Sequence, residues 1–188
     1  MRHGSFVRLR CGLAPLLLLG LVASAASAEP RRRALLIGIN QYQAKTIPDL
    51  RGARNDIELM QRVLTSRFGF LPEHIETLTD QAATREGILR ALEQFGTRSR
   101  PDDRLYIHFS GHGSQVRDAG GDEAADGLDE TLVPHDGRTP GVPDITDDEL
   151  AERLAAYPTP HIVVVLDSCH SGTATRDLSV LRPRRVAP

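Results

Sequence analysis

The sequence has no tryptophan, and aromatic residues make up only 4% of its 188 residues. A core must therefore be built from Leu, Val, Ile and Ala, and hydrophobic residues at 40% suffice for one. An excess of one charge is also missing: the formal net charge is -2, which gives no global reason to expect nucleic acid or an anionic membrane as partner. Acidic residues crowd between Asp118 and Asp148, while arginines cluster at Arg31 to Arg33 and at Arg182 to Arg185. Both arginine clusters read as solvated charge near the ends of the mature chain. No apolar run is long enough for a membrane span, because Leu13 to Val22 is short and broken by Pro15.

That run has another reading. Arg2, Arg8 and Arg10 precede it, and Ala26-Ser27-Ala28 follows it as an A-x-A site, the pattern of a cleaved secretory signal. Residues 1–28 are expected to be a signal peptide, and residues 29–188 an exported domain, periplasmic or secreted. Cysteine is scarce as well. Of the two present, Cys11 lies in the signal and does not follow the residues a lipid attachment site requires. Its loss leaves Cys169, which cannot form an internal disulfide and is either buried and inert or a working thiol.

What is present is an alternation. Ala34 to Ile39 reads as a strand covered on both faces, and Ala53, Ile57, Met60 and Leu64 recur at helical spacing between about Arg51 and Arg67. Ile75 to Leu78 is a short strand. Thr84 caps a helix with an apolar face of Ile88, Leu92 and Phe95. Leu105 to Phe109 is a third strand, and Thr146 with Glu149 makes a capping box before a helix through Leu150 and Leu154. Ile162 to Leu166 is the fourth strand. This order predicts an α/β fold with a mainly parallel sheet whose strand ends share one edge. Between Gly113 and Thr146 the spacing predicts a long polar connection, a length more often functional than accidental.

Two short segments close the last two strands: Ser110-Gly111-His112-Gly113 and Asp167-Ser168-Cys169-His170-Ser171-Gly172. Ligands of open α/β sheets bind outside the carboxyl ends of the strands, where a histidine could generate the thiolate that cysteine chemistry needs. The separation of His112 and Cys169 is close to the roughly 50 residues typical of caspase-type enzymes. The glycines around His112 predict a sharp turn, and Cys169 is expected past its strand end. Backbone N–H groups at Gly113 and Cys169 are candidates for stabilising an oxyanion. His108 is expected within its strand beside Tyr106, and His74, His135 and His161 in surface connections. His170 is a rival base, but adjacent residues project in different directions. A zinc site lacks supporting spacing. The acids Asp122, Glu123, Asp126, Asp129, Glu130, Asp147 and Asp148 supply the oxygen ligands that calcium takes, without EF-hand spacing. A solvated loop explains them equally, and Asp147 and Asp148 also complement a helix dipole.

Taken together, Arg33 to Asn40, Ser110 to Gln115, Gly121 to Asp136 and Asp167 to Gly172 resemble the metacaspases, within the caspase-like peptidases. The resemblance runs from about Arg33 to Thr173 and implies a caspase-like α/β/α sandwich with a Cys169–His112 dyad. It implies cleavage of protein or peptide substrates after Arg or Lys, in an acidic pocket of Asp56 and Asp167 lined by Ser110. It further implies calcium at Asp129, Asp147 and Asp148, with Arg176 or Asp177 near a fourth position. Calcium would be an activator, since no cofactor is needed for the chemistry. The family sheet continues beyond its cysteine strand, whereas only a short, basic segment follows His170 here. The chain is therefore expected to be the larger portion of the peptidase domain, truncated after that strand, with a partner segment supplying the remaining strands. A catalytically incompetent binding or regulatory module is the alternative reading.

Overall fold

Four parallel strands are packed between helices, and among the described residues the central two carry much of the buried apolar core. The computed structural model describes residues 29–117 and 127–170, the side chains of Cys169 and His170 excepted. The expected signal segment with Cys11, the acids Asp118, Asp122, Glu123 and Asp126, and the stretch from Ser171 onward with Gly172, Arg176, Asp177 and Arg182 to Arg185 lie outside the described residues.

The order is β1 (Arg32–Gly38), α1 (Ala53–Arg67), β2 (Ile75–Thr79), α2 (Arg85–Thr97), β3 (Arg104–Arg117), β4 (Leu128–Leu132), β5 (Ile145–Thr146), α3 (Asp147–Ala155) and β6 (Ile162–His170). β1 pairs in parallel with β2 and β3, and β3 pairs in parallel with β6. The expected parallel frame is therefore present. α2 starts as expected, with the Thr84 side chain accepting from Gly87 N–H at 3.0 Å. At α3 only half of the expected capping box forms among the described residues. The Thr146 side chain accepts from Glu149 N–H, but the Glu149 carboxylate binds Arg85 and Arg153 instead.

Two expectations are corrected. β3 does not stop at Phe109, and the stretch after Gly113 is not one polar connection. Residues 113–117 continue β3 and pair antiparallel with β4, which pairs in turn with β5. Polar residues serve here because a strand paired across its backbone can still leave side chains in water. Gln115, Val116 and Arg117 are all exposed. The Arg31–Arg33 cluster is not merely solvated either. Arg33 is buried, donates to Phe95 O and Glu76, and lies 4.6 Å over the Phe95 ring. Arg31 holds the buried carboxylate of Asp103 with Nη2 at 2.6 Å.

The sheet has unequal sides. Leu35, Ile37, Leu105, Ile107 and Phe109 face α2 and α3 and bury Ile88, Leu92, Phe95 and Leu150. Each such side chain contributes roughly 1.5–3 kcal/mol by leaving water. On the other side Ala34 and Leu36 meet Ile57 and Leu64 of α1, with Met60, Phe70, Ile75 and Tyr106 partly buried beside them. This is the expected α/β/α sandwich.

Candidate active site

Alternation along β3 sends Tyr106, His108, Ser110 and His112 toward the α1 side, opposite Leu105, Ile107 and Phe109. The β3–β6 register sets Ser110 beside Asp167 and His112 beside Cys169. Neighbouring strands lie about 4.8 Å apart, so the two residues expected to form a dyad are immediate ladder neighbours. Both stand inside strands, which corrects the expected positions: His112 is not in a glycine turn, and Cys169 is not past its strand end. The glycines serve close approach instead. A Cβ on Gly111 would meet Phe109 Cζ at 2.9 Å and the Tyr42 hydroxyl at 3.0 Å, and one on Gly113 would meet Ser168 Oγ at 2.9 Å. Gly113 pairs with Leu132 on one edge and His170 on the other.

His112 is held from two directions. Its backbone N–H donates to the Tyr42 hydroxyl at 2.8 Å, and the two rings lie 5.0 Å apart between centroids. Its Nε2 is 2.8 Å from Pro48 O. A carbonyl can only accept, so Nε2 carries the hydrogen, and in the neutral ring Nδ1 is left with the basic lone pair. Burial pushes the Tyr42 hydroxyl up to about 12, which keeps it neutral as an acceptor for that N–H.

The loop that supplies Tyr42 and Pro48 is itself tied down. Asp80 Oδ1 accepts from Asn40 N–H at 2.8 Å and from Gln41 N–H at 3.0 Å, while Asp80 adopts a left-handed backbone with φ of 42°. Aspartate tolerates that region better than most residues. His135 Nδ1 donates to Gln41 O at 2.7 Å, and Gln43 N–H donates back to His135 O at 2.8 Å. His135, expected as a surface residue only, thus pins the loop. Tyr42, Pro48 and Asp80 had no motif to mark them. The one available signal was position, because the segment after β1 leaves the sheet at the strand-end edge where ligands bind.

The structure brings the three expected pocket residues to one level of the sheet. Asp56, in the first turn of α1, accepts from Ser110 Oγ at 3.0 Å, and Asp167 is the register partner of Ser110. Ser110 is buried, Asp56 half-buried and Asp167 exposed. The expected calcium residues are more scattered. Asp129 is buried in β4, whereas Asp147 and Asp148 form the first turn of α3. Burial raises the Asp147 carboxyl, and Glu130 and Asp148 repel its charge further. Among the described residues no group of three His, Cys, Asp or Glu side chains is placed to hold a metal ion.

Residues 32–178 match the family model of the metacaspase, peptidase C14 domain. Metacaspase-1 of Eremothecium gossypii is 39% identical over 76% of this chain and 32% of its own length. Metacaspase-1 of Schizosaccharomyces pombe is 37% identical over 79% of this chain and 36% of its own length. The chain thus spans about a third of these relatives. Among solved structures, protein GSU0716 from Geobacter sulfurreducens superposes with a TM-score of 0.60 at 33% identity, over 77% of this chain and 52% of that one. The family model covers the strands that carry His112 and Cys169 and the helix that brings Asp56, and on these grounds the chain belongs to the metacaspase family of C14 peptidases.

Proposed function

We propose that the protein is a cysteine endopeptidase that cleaves after Arg or Lys, with Cys169 as nucleophile and His112 as base. The observation that carries this reading is the ladder pairing of His112 with Cys169, together with an imidazole whose Nε2–H is committed to Pro48 O. Nδ1 takes the thiol proton, and the thiolate attacks the scissile carbonyl. Backbone amides near Gly113 and Cys169 hold the resulting oxyanion. The imidazolium returns the proton to the leaving amine, and water releases the acyl-enzyme. Asp56 and Asp167 pair with the substrate's cationic side chain, since a charge-assisted bond to guanidinium is stronger than a neutral one.

The test is saturation labelling of the thiol by a peptidyl-arginyl chloromethyl ketone, read by mass. Rapid labelling that is lost in Cys169→Ala and His112→Ala supports the dyad, while labelling indifferent to His112 removes it. An aspartyl ketone that labels as fast as the arginyl one removes the acidic pocket. The second reading, a binding module, rests on β6, which among the described residues pairs with β3 alone; a strand-forming partner segment would add to that edge. Export after cleavage at Ala28 and activation by calcium belong to the same proposal. N-terminal sequencing of the mature protein tests the first. For the second, no catalytic step runs through the cation: Asp147 is repelled by its acidic neighbours, and a hard divalent ion relieves such repulsion. Calorimetry of the parent against an Asp147→Ala/Asp148→Ala variant tests it, and an equal response in both would return these residues to helix capping.

A further inference from the structure

One buried imidazole next to this site has no use in the chemistry above. His108 stands two residues before Ser110 on the same face of β3 and is only 4% exposed. Its Nδ1 lies 3.2 Å from the Tyr106 hydroxyl. Its Nε2 is buried and has no hydrogen-bond partner among the described residues. Leaving a buried polar atom unpaired is costly, and an apolar side chain at this position would carry no such cost.

The surroundings indicate what the atom waits for. Asp56, on α1, accepts from Ser110 Oγ, and Asp167, on β6, is the register partner of Ser110; both carboxylates also act on the ionisation of His108. Tyr106 is the titratable neighbour on β3, and β1 contributes Leu36, the register partner of His108. No basic side chain is among the groups acting on it. Two carboxylates therefore gather at Ser110, two residues along the strand from a ring that burial keeps neutral.

We propose that His108 is a specificity-determining residue at the floor of the acidic pocket, its Nε2 accepting a hydrogen from the cationic side chain held between Asp56 and Asp167. The proposal rests on the pocket's reading as the seat of Arg or Lys. With Nδ1–H donating to the Tyr106 oxygen, Nε2 is an acceptor, the tautomer a bound cation selects. A guanidinium carries five N–H donors in a planar fork. Two carboxylates engage its outer donors, and an inward one is left for the floor. The ammonium of lysine is compact, with three rotatable donors, so it depends less on one fixed acceptor. Protonated His108 would be a cation in the substrate's place, so capture of arginyl ligands weakens as pH falls below the ordinary histidine range.

The experiment uses the full chain and labelling by peptidyl-arginyl and peptidyl-lysyl chloromethyl ketones, resolved into KI and kinact across pH. His108→Asn keeps a polar group near the Nδ1 position and removes the acceptor at Nε2. His108→Gln places an amide oxygen near the Nε2 position and cannot titrate. The expected result for His108→Asn is a KI for the arginyl ligand about tenfold higher or more, as for a lost bond to a charged group, a smaller rise for the lysyl ligand, and kinact within about twofold. His108→Gln should restore the arginyl KI and remove its rise at acid pH. In the parent, capture of the arginyl ketone should shift the 15N resonance of His108 Nε2, while a norleucyl ketone should not. An arginyl KI in His108→Asn equal to the parent's, or an unmoved Nε2 resonance, overturns the proposal. If Asp56→Asn weakens arginyl capture while His108→Asn does not, only the role of His108 falls; if neither weakens it, the acidic pocket falls as well.

Discussion

The two faces of β3 were made by one strand and do opposite things. Leu105, Ile107 and Phe109 enter a core closed by two helices, while Tyr106, His108, Ser110 and His112 look toward one helix and an open edge. The first face is satisfied by burial alone. On the second, His108, Ser110 and His112 are polar and each has a named partner, while His108 Nε2 has none among the described residues. The thick side therefore holds the sheet rigid, and the thin side can carry chemistry without supplying much of the stability.

That contrast is open to test. The largest expected effect is on the thin side: His112→Ala should slow thiol labelling by about 10²–10⁴-fold, the usual worth of a positioned base, and leave the melting temperature close to the parent's. A joint loss of labelling and stability would erase the distinction between the faces. On the thick side, Phe95→Ala should cost about 3–5 kcal/mol in denaturant unfolding; a loss below about 1 kcal/mol would mean the core does not depend on that face. Asp80→Ala leaves two backbone N–H groups without their acceptor and should cost about 1–3 kcal/mol. It should also slow labelling, because the loop carrying Tyr42 and Pro48 loosens. Labelling at the parent rate would uncouple Asp80 from His112.

The smallest effect is one of pH. Burial holds the folded pKa of His108 below its ordinary value, against the pull of Asp167 and Asp56. The unfolded chain then takes up a proton first, so stability falls as pH drops below about 6.5 and levels off below the folded pKa. The slope is at most about 1.4 kcal/mol per pH unit for this one group. His108→Gln should flatten it, and an unchanged slope would assign the dependence to other groups.

Legibility in the sequence followed the same division. The apolar half of β3 could be read directly, as could the Thr84 cap of α2, because local pattern and final environment agree there. The polar half, Gly111 to Arg117, looked like a loop because its strand character comes from β4, a partner that alternation within β3 cannot reveal. Likewise, Gly111 and Gly113 read as turn residues, although the constraint on them is the nearness of Tyr42 and Ser168. His112, Cys169 and the residues expected to line the pocket are singled out by motif and resemblance. Pro48 was not, since it contributes only a carbonyl, a group every residue has.

The long central strand also makes its two edges separately readable in solution. Ser110 O accepts from Ile39 N–H and His112 O from Val133 N–H, whereas Leu105 N–H donates to His161 O. Even-numbered backbone groups of β3 therefore point to β1 and β4, and odd-numbered ones to β6. Amide hydrogen exchange along this single strand becomes a two-channel record. Transient departure of β6 would release protons at residues 107, 109, 111 and 113 while 108 and 110 stay protected. Fraying of the β4 hairpin would release 114 and 116 alone. Slow exchange at both sets would mark β3 as part of the last unit to open, with β3 and β6 leaving the native state together.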